Sequence, residues 1–169
     1  MDYIAGNCDV AVIGEYAFSN ATASTITVDP ANATLKAAQS GAYLTNKAGT
    51  EILLVAPGIK GEFRVDDSNI TSIGAGAFSG NYKLLTSVII PSVTRVGNYA
   101  FAHCEKLSNI ELGTLELIGD YAFYKTAITK VPSFEKIQTI GAYAFAFTKV
   151  GEGVLSRLYG PSTLWNFPS

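Results

Sequence analysis

The sequence predicts an α/β solenoid: right-handed coils stacked along one axis, with a parallel β-sheet on one face, short helical turns elsewhere and one inserted β-hairpin. Three observations predict it. A hexapeptide of the form Ile-Gly-x-Tyr-Ala-Phe recurs, its later copies fall at nearly constant spacing, and between copies an apolar residue is followed three and five positions later by two more.

The copies are Ile13–Phe18, Ile73–Phe78, Val96–Phe101, Ile118–Phe123 and Ile140–Phe145. Counted from their first residues, the last four are spaced by 23, 22 and 22 residues. That spacing lies within the roughly 20 to 29 residues of a leucine-rich repeat. The Gly after each first residue suits a tight bend or a close backbone approach, because it tolerates positive φ and carries no Cβ to clash. Ala-Phe then supplies one small and one large buried side chain. Phe18, Phe78, Phe101, Phe123 and Phe145 are expected to stack as a ladder. A single coil cannot cover its own apolar face, so only stacking on neighbours removes that surface from water.

After Phe18 the period breaks. Ile26–Val28 reads as a strand, followed by the turn signal Asp29-Pro30-Ala31-Asn32. Tyr43–Thr45, the turn-forming Asn46–Gly49 and the apolar run Ile52–Val55 read as a β-hairpin, an insertion near residues 41–58 that ends at Pro57-Gly58. Phe63–Val65 is the strand of the coil leading into Ile73. The next two strands are Leu85, Val88, Ile90 and Leu107, Ile110, Leu112. Strand side chains alternate between faces, so Val88, Ile90, Ile110 and Leu112 point inward while Ser87, Ile89, Asn109 and Glu111 point outward. The following coil reads Ile128, Val131, Ser133 and Phe134, with Pro132 in the strand and one residue of slippage. Val93, Leu115 and Ile137 each add an inward residue three positions before a hexapeptide. Beyond Val150 the pattern fades, leaving residues 151–169 as a cap or a truncated coil. Residues 1–169 read as a single leucine-rich-repeat domain of about five to six coils.

A hydrophobic share of 48% supports a sizeable core. With a formal charge of only -2, the chain has no electrostatic footprint for nucleic acid or an anionic membrane. The apolar stretch around Ile52–Pro57 is far shorter than the roughly 20 residues of a bilayer helix, so no membrane insertion is expected. The start, Met-Asp-Tyr-Ile-Ala-Gly, lacks the basic and apolar regions of a signal peptide. An export signal is expected to have been removed ahead of Met1.

The hexapeptide with a following small or Cys position, together with the Leu-x-x-Ile-x-Leu and Leu-x-x-Val-x-Ile-Pro strands, closely resembles the BspA-like class of bacterial leucine-rich repeats. Cys104 matches that family's Cys position, with Thr126 and Thr148 replacing it in later coils. The segment from Gly41 to Pro57-Gly58 resembles an insertion that interrupts many such arrays. The resemblance covers nearly everything from Ile13 to Val150. It implies an exported or surface-attached bacterial protein and adhesion to host matrix proteins or other cells; fold alone does not fix function.

Candidate sites are few. Cys8 and Cys104 lie at least three coil steps apart, a gap of roughly 15 Å at the strand spacing, which excludes a bridge that needs Cα atoms within about 7 Å. Both thiols are expected buried and inert. His103, the single histidine, adjoins Cys104, but a Cys-His dyad needs spatial closeness and an orienting third group, so His103 reads as a surface residue at a turn. Asp66-Asp67-Ser68-Asn69 lacks the Gly and terminal Glu of a calcium loop and reads as a solvated turn. Three Asn-x-Thr triplets, at Asn20, Asn32 and Asn69, are expected to be unmodified in a bacterium. The scattered carboxylates favour no acid-base pair, and neither catalytic residues nor a cofactor or metal is expected. Tyr16, Tyr99, Tyr121 and Tyr143 form a row, interrupted at Gly76, that stacks along the convex side or serves as a contact patch.

The remaining candidates are the outward strand positions Thr25, Thr27, Ser87, Ile89, Asn109, Glu111, Lys130 and Pro132, brought side by side on one sheet face, with Ile89 and Pro132 exposed apolar residues among small polar ones. The reading is a non-enzymatic module that binds a host extracellular or cell-surface protein. A structural spacer without a ligand is the alternative. An enzyme would require a convergent acid-base or nucleophile-base cluster in a concave pocket.

Overall fold

In the computed structural model, residues 2–4, 13–14, 16–81 and 83–159 are described. Their strands are β1 (Asp2–Ile4), β2 (Ile26–Val28), β3 (Leu35–Ala38), β4 (Tyr43–Asn46), β5 (Glu51–Val55), β6 (Gly61–Arg64), β7 (Ser72–Ile73), β8 (Leu85–Ile90), β9 (Arg95–Val96), β10 (Asn109–Leu112), β11 (Leu117–Ile118) and β12 (Thr139–Ile140). One α-helix, α1 (Glu152–Tyr159), follows them.

The architecture is a β-solenoid of stacked coils rather than an α/β one. A coil gives up to two strands, not one. Strands β6, β8 and β10 form a three-stranded parallel sheet, while β5, β7, β9, β11 and β12 run parallel in a second sheet. The second sheet uses the residue before each hexapeptide and its first residue, such as Arg95-Val96. Helical turns are correspondingly scarce among the described residues: a 3-10 turn at Gln39–Gly41, and α1.

The repeat period is written into the register. Asn109 lies opposite Ser87, Leu117 opposite Arg95 and Thr139 opposite Leu117, each one 22-residue period on. Where the spacing departs from this, between β6 and β8, a register shift at Gly61/Glu62 absorbs the difference, and Gly61 takes φ 75°. A left-handed φ is open to Gly without a Cβ penalty.

Strands β4 and β5 pair antiparallel, and β3 pairs antiparallel with β4. Strand β5 is itself a coil strand: Ile52 sits opposite Ile73 in the parallel pairing with β7. The antiparallel segment is therefore continuous with the solenoid's second sheet.

At Gly97, Gly119 and Gly141 the hexapeptide glycine is required by close approach, not by positive φ. A Cβ on Gly97 would lie 2.8 Å from Ala75 N, and one on Gly119 would lie 2.5 Å from Asn98 N. The left-handed residue is the tyrosine two positions later: Tyr99, Tyr121 and Tyr143 have φ of 55–56°. Bulky residues seldom adopt that region, and each such position costs on the order of 1–3 kcal/mol unless its surroundings hold it. Inter-coil hydrogen bonds hold it here. Tyr99 N–H donates to Asp120 C=O and Tyr121 N–H to Ala142 C=O, both at 2.9 Å, while Phe101 and Phe123 donate to Ala122 and Ala144 at 2.8 Å. Asn98 and Asp120 add a side-chain rung: their Oδ1 atoms accept from the N–H of Asp120 and Ala142 at 2.9 and 2.8 Å.

Inside, Phe78, Phe101, Phe123 and Phe145 are fully buried and stacked, with centroid separations of 4.5, 5.3 and 5.2 Å. Phe18 is not part of this ladder. It is half-buried and packs with Ile13, Ile26, Leu35 and Leu44 in a smaller cluster, because the first hexapeptide does not stack in sequence with the others. Phe63 and Tyr43 extend the aromatic column at that end instead, edge-on at 5.5 and 5.7 Å. At the opposite end, Val150 and Leu155 close over the core from the segment leading into and through α1.

Candidate interaction surface

On the three-stranded sheet, Phe63, Val88, Ile90, Ile110 and Leu112 turn inward, leaving two outward rows. One aligns Glu62, Ser87 and Asn109; the other aligns Arg64, Ile89 and Glu111. Asn109 Nδ2 donates to Ser87 Oγ at 3.0 Å. Arg64 Nε donates to Asp66 Oδ2 at 2.9 Å on the exposed edge. Asp66 first, then the fields of Glu62 and Glu111, hold the Arg64 guanidinium further from deprotonation.

Ile89 departs from expectation, with only 8% of its surface exposed. Long side chains bury apolar neighbours along their stems while keeping their heads in water, and Ile89 lies between Arg64 and Glu111 in the paired strands. Pro132 is buried too, and residues 128–134 form no strand. Proline has no N–H to donate, so the parallel ladder stops at β10. Lys130 is exposed but lies off that sheet. Thr25 and Thr27 do not join this face either: Thr27 lies in β2, which pairs with β1, and Thr25 directly precedes it. Thr27 Oγ1 is buried without a hydrogen-bond partner among the described residues. The structure thus brings together Ser87, Ile89, Asn109 and Glu111 and separates the other four. Glu62 and Arg64, on the same face, went unread because the repeat pattern is blurred around β6.

The tyrosine row is continuous. Tyr99, Tyr121 and Tyr143 stack at 5.1 and 5.0 Å. At the gap left by Gly76, Tyr16 from the first hexapeptide approaches Tyr99 edge-on at 6.0 Å. Desolvation first, then neighbouring Tyr143 and Tyr99, push the Tyr121 phenol upward.

Cys104 is fully buried, with Sγ 3.7 Å from Phe78 O, and burial pushes its thiol up to about 12. Cys8 lies outside the described residues. His103 is half-buried at φ 63°, its ring edge-on to Tyr124 at 5.3 Å. Thr126 and Thr148, at the coil positions matching Cys104, donate their hydroxyls to Phe123 O and Phe145 O at 2.9 and 2.8 Å. Asp67 Oδ1 accepts from Asn69 N–H at 2.9 Å, closing the Asp66–Asn69 turn on itself. No group of three or more His, Cys, Asp or Glu side chains is placed to hold a metal among the described residues. No helix among them is long and apolar enough to cross a membrane.

Because a thiolate is the reactive form of cysteine and this thiol is both neutral and enclosed, Cys104 in a Cys8→Ser background is expected to resist an aromatic disulfide reagent in native buffer. Its labelling rate should rise by about a thousandfold or more in denaturant, since access requires opening of the core. Fast native labelling would place the side chain outside the core.

In-register coils, a recurring core phenylalanine and backbone bonds from turn to turn define a leucine-rich-repeat solenoid. The description "BspA type Leucine rich repeat region" matches residues 62–156 in six copies, and the chain belongs to this family. Among solved structures, a leucine-rich repeat protein from Eubacterium ventriosum ATCC 27560 is 20% identical with a TM-score of 0.35, over 83% of this chain. The chain spans 56% of that protein's length. No curated protein matches the sequence.

Proposed function

We propose that the domain is a non-enzymatic protein-binding module of an exported or cell-surface bacterial protein, acting in adhesion to host or neighbouring-cell proteins. The supporting observation is the outward face of β6, β8 and β10, where Ile89 is flanked by Arg64 on one side and Glu111 on the other. Exposed charges of both signs on either side of a nearly buried apolar residue are the arrangement by which interfaces fix register and partner choice. The family's association with surface proteins supports the location. Ser87, Asn109 and Glu62 complete the contact face in this reading, and Thr25, Thr27, Lys130 and Pro132 are not part of it.

The test is capture of purified host extracellular-matrix proteins by the immobilised domain, with Arg64→Glu and Glu111→Lys, both at exposed positions, combined as the comparison. Capture should weaken about tenfold or more in the double variant, with the circular dichroism spectrum and melting temperature retained. Capture that ignores the double substitution would move the contact elsewhere. A wild-type domain that captures nothing would favour the spacer, a reading supported by the unbroken phenylalanine column that stiffens the array from Phe78 to Phe145.

A further inference from the structure

The first hexapeptide docks where the array is missing side chains. In the coil of β7 and β8, Gly76 stands where other coils carry Tyr99, Tyr121 and Tyr143, and Gly80 stands where they carry His103, Lys125 and Phe147. Tyr16 fills part of this vacancy and remains 38% exposed. What is left is a cleft of about 340 Å³ bounded by Tyr16, Asn20, Ser79, Lys83, His103 and Glu105. Its size falls near the lower end of the roughly 300–1,000 Å³ of small-ligand sites.

The lining is specific in its chemistry. Tyr16 supplies an aromatic wall. Asn20 and Ser79 each offer both a donor and an acceptor, and among the described residues neither side chain is engaged in a hydrogen bond. Ser79 is only 3% exposed and lines the cleft. Among the described lining residues, Lys83 brings one positive charge and Glu105 one negative. Such a site concentrates neither anions nor cations. It suits an uncharged molecule with one apolar face and several hydroxyl groups that donate and accept at once. A peptide strand is disfavoured: the hexapeptide backbone here already pairs coil to coil, His103 N–H with Tyr124 C=O at 2.8 Å and Phe78 N–H with Ala100 C=O at 3.0 Å.

We propose that this cleft is a subsite for one pyranose residue of a neutral glycan, with the sugar's C–H face against Tyr16 and its hydroxyls on Asn20, Ser79 and Glu105. It lies on a different surface from the strand face, so the two readings stand or fall separately.

The test is amide chemical-shift mapping of the domain with millimolar methyl glucoside, methyl galactoside, methyl mannoside and N-acetylglucosamine, and with glucuronate as the anionic arm. At least one neutral glycoside should shift Ser19, Asn20, Ser79, His103 and Glu105 while leaving Ser87, Ile89 and Glu111 in place. Asn20→Ala and Glu105→Ala, each at an exposed position, should weaken that binding by about tenfold through loss of one hydrogen bond. The proposal is overturned if no neutral glycoside shifts these amides, if glucuronate binds more tightly than every neutral sugar, or if both variants bind as the wild type does.

Discussion

Gly119→Ala is expected to destabilise the domain by about 3–5 kcal/mol, whereas Gly14→Ala should change stability by less than about 0.5 kcal/mol. The same dipeptide context gives opposite outcomes because the surroundings differ. A Cβ on Gly119 would stand 2.5 Å from both Asn98 N and Asn98 Oδ1 and 2.7 Å from Gly97 C. These are atoms of the neighbouring coil's backbone and of the side chain that bonds Asp120 N–H, so none can yield by a simple rotamer change. Relief requires the coils to part. Parting them would stretch Gly119 N–H to Val96 C=O at 2.8 Å and Tyr99 N–H to Asp120 C=O at 2.9 Å, which join the same two coils. Gly14, by contrast, has nothing within 4 Å of its would-be Cβ among the described residues. Thermal unfolding should show a fall in Tm of about 10 °C for Gly119→Ala. Equal behaviour of the two variants would mean that the coils are not in backbone contact at this position.

This pair also marks how far the chain could be read unaided. The hexapeptide, its period and the inward aliphatic residues were legible, since a stacked core demands the same volume at the same place in every coil: Val93, Leu115 and Phe101 are all fully buried. Why the glycine recurs was open between a bend and a close approach, and only the inter-coil distances decide it. The second sheet was hidden because strands of two residues, such as Leu117-Ile118, have no alternation to detect. Of the candidate face, Ser87, Ile89, Asn109 and Glu111 lie on the outward side of one sheet, but Ile89 is buried where exposure was expected, and Arg64, opposite it in the sheet, lies 25 residues away in sequence. Pro132 was placed in a strand by counting, although its missing N–H ends the ladder. The cleft beside Tyr16 escaped because it arises from two absences, at Gly76 and Gly80, and from a segment that returns across a long break in the period.

Phe101→Ala is the substitution expected to damage the fold most evenly from within, at about 3–5 kcal/mol. The ring is completely buried, stacked 4.5 Å from Phe78 on one side and 5.3 Å from Phe123 on the other, so its removal leaves both neighbours facing a void. Adjacent coils cannot collapse to fill it, because Phe101 N–H to Ala122 C=O and Phe78 N–H to Ala100 C=O fix their separation at the hydrogen-bonding distance. Aromatic pairs contribute beyond their buried area by roughly 0.5–1.5 kcal/mol. The double variant with Phe123→Ala should therefore cost less than the two single losses added together, by about that amount. Position in the stack matters as well. A solenoid's stability is close to a sum over coils and their nearest-neighbour contacts, so Phe101→Ala weakens two interfaces in the middle of the array and should broaden the urea transition as the halves uncouple. Phe145→Ala loses a single stacking partner among the described residues, Phe123, and should leave the transition sharp with a smaller loss of stability. Phe18→Ala, off the column altogether, should cost less again. A ranking in which Phe18→Ala equals or exceeds Phe101→Ala would contradict a continuous aromatic interior.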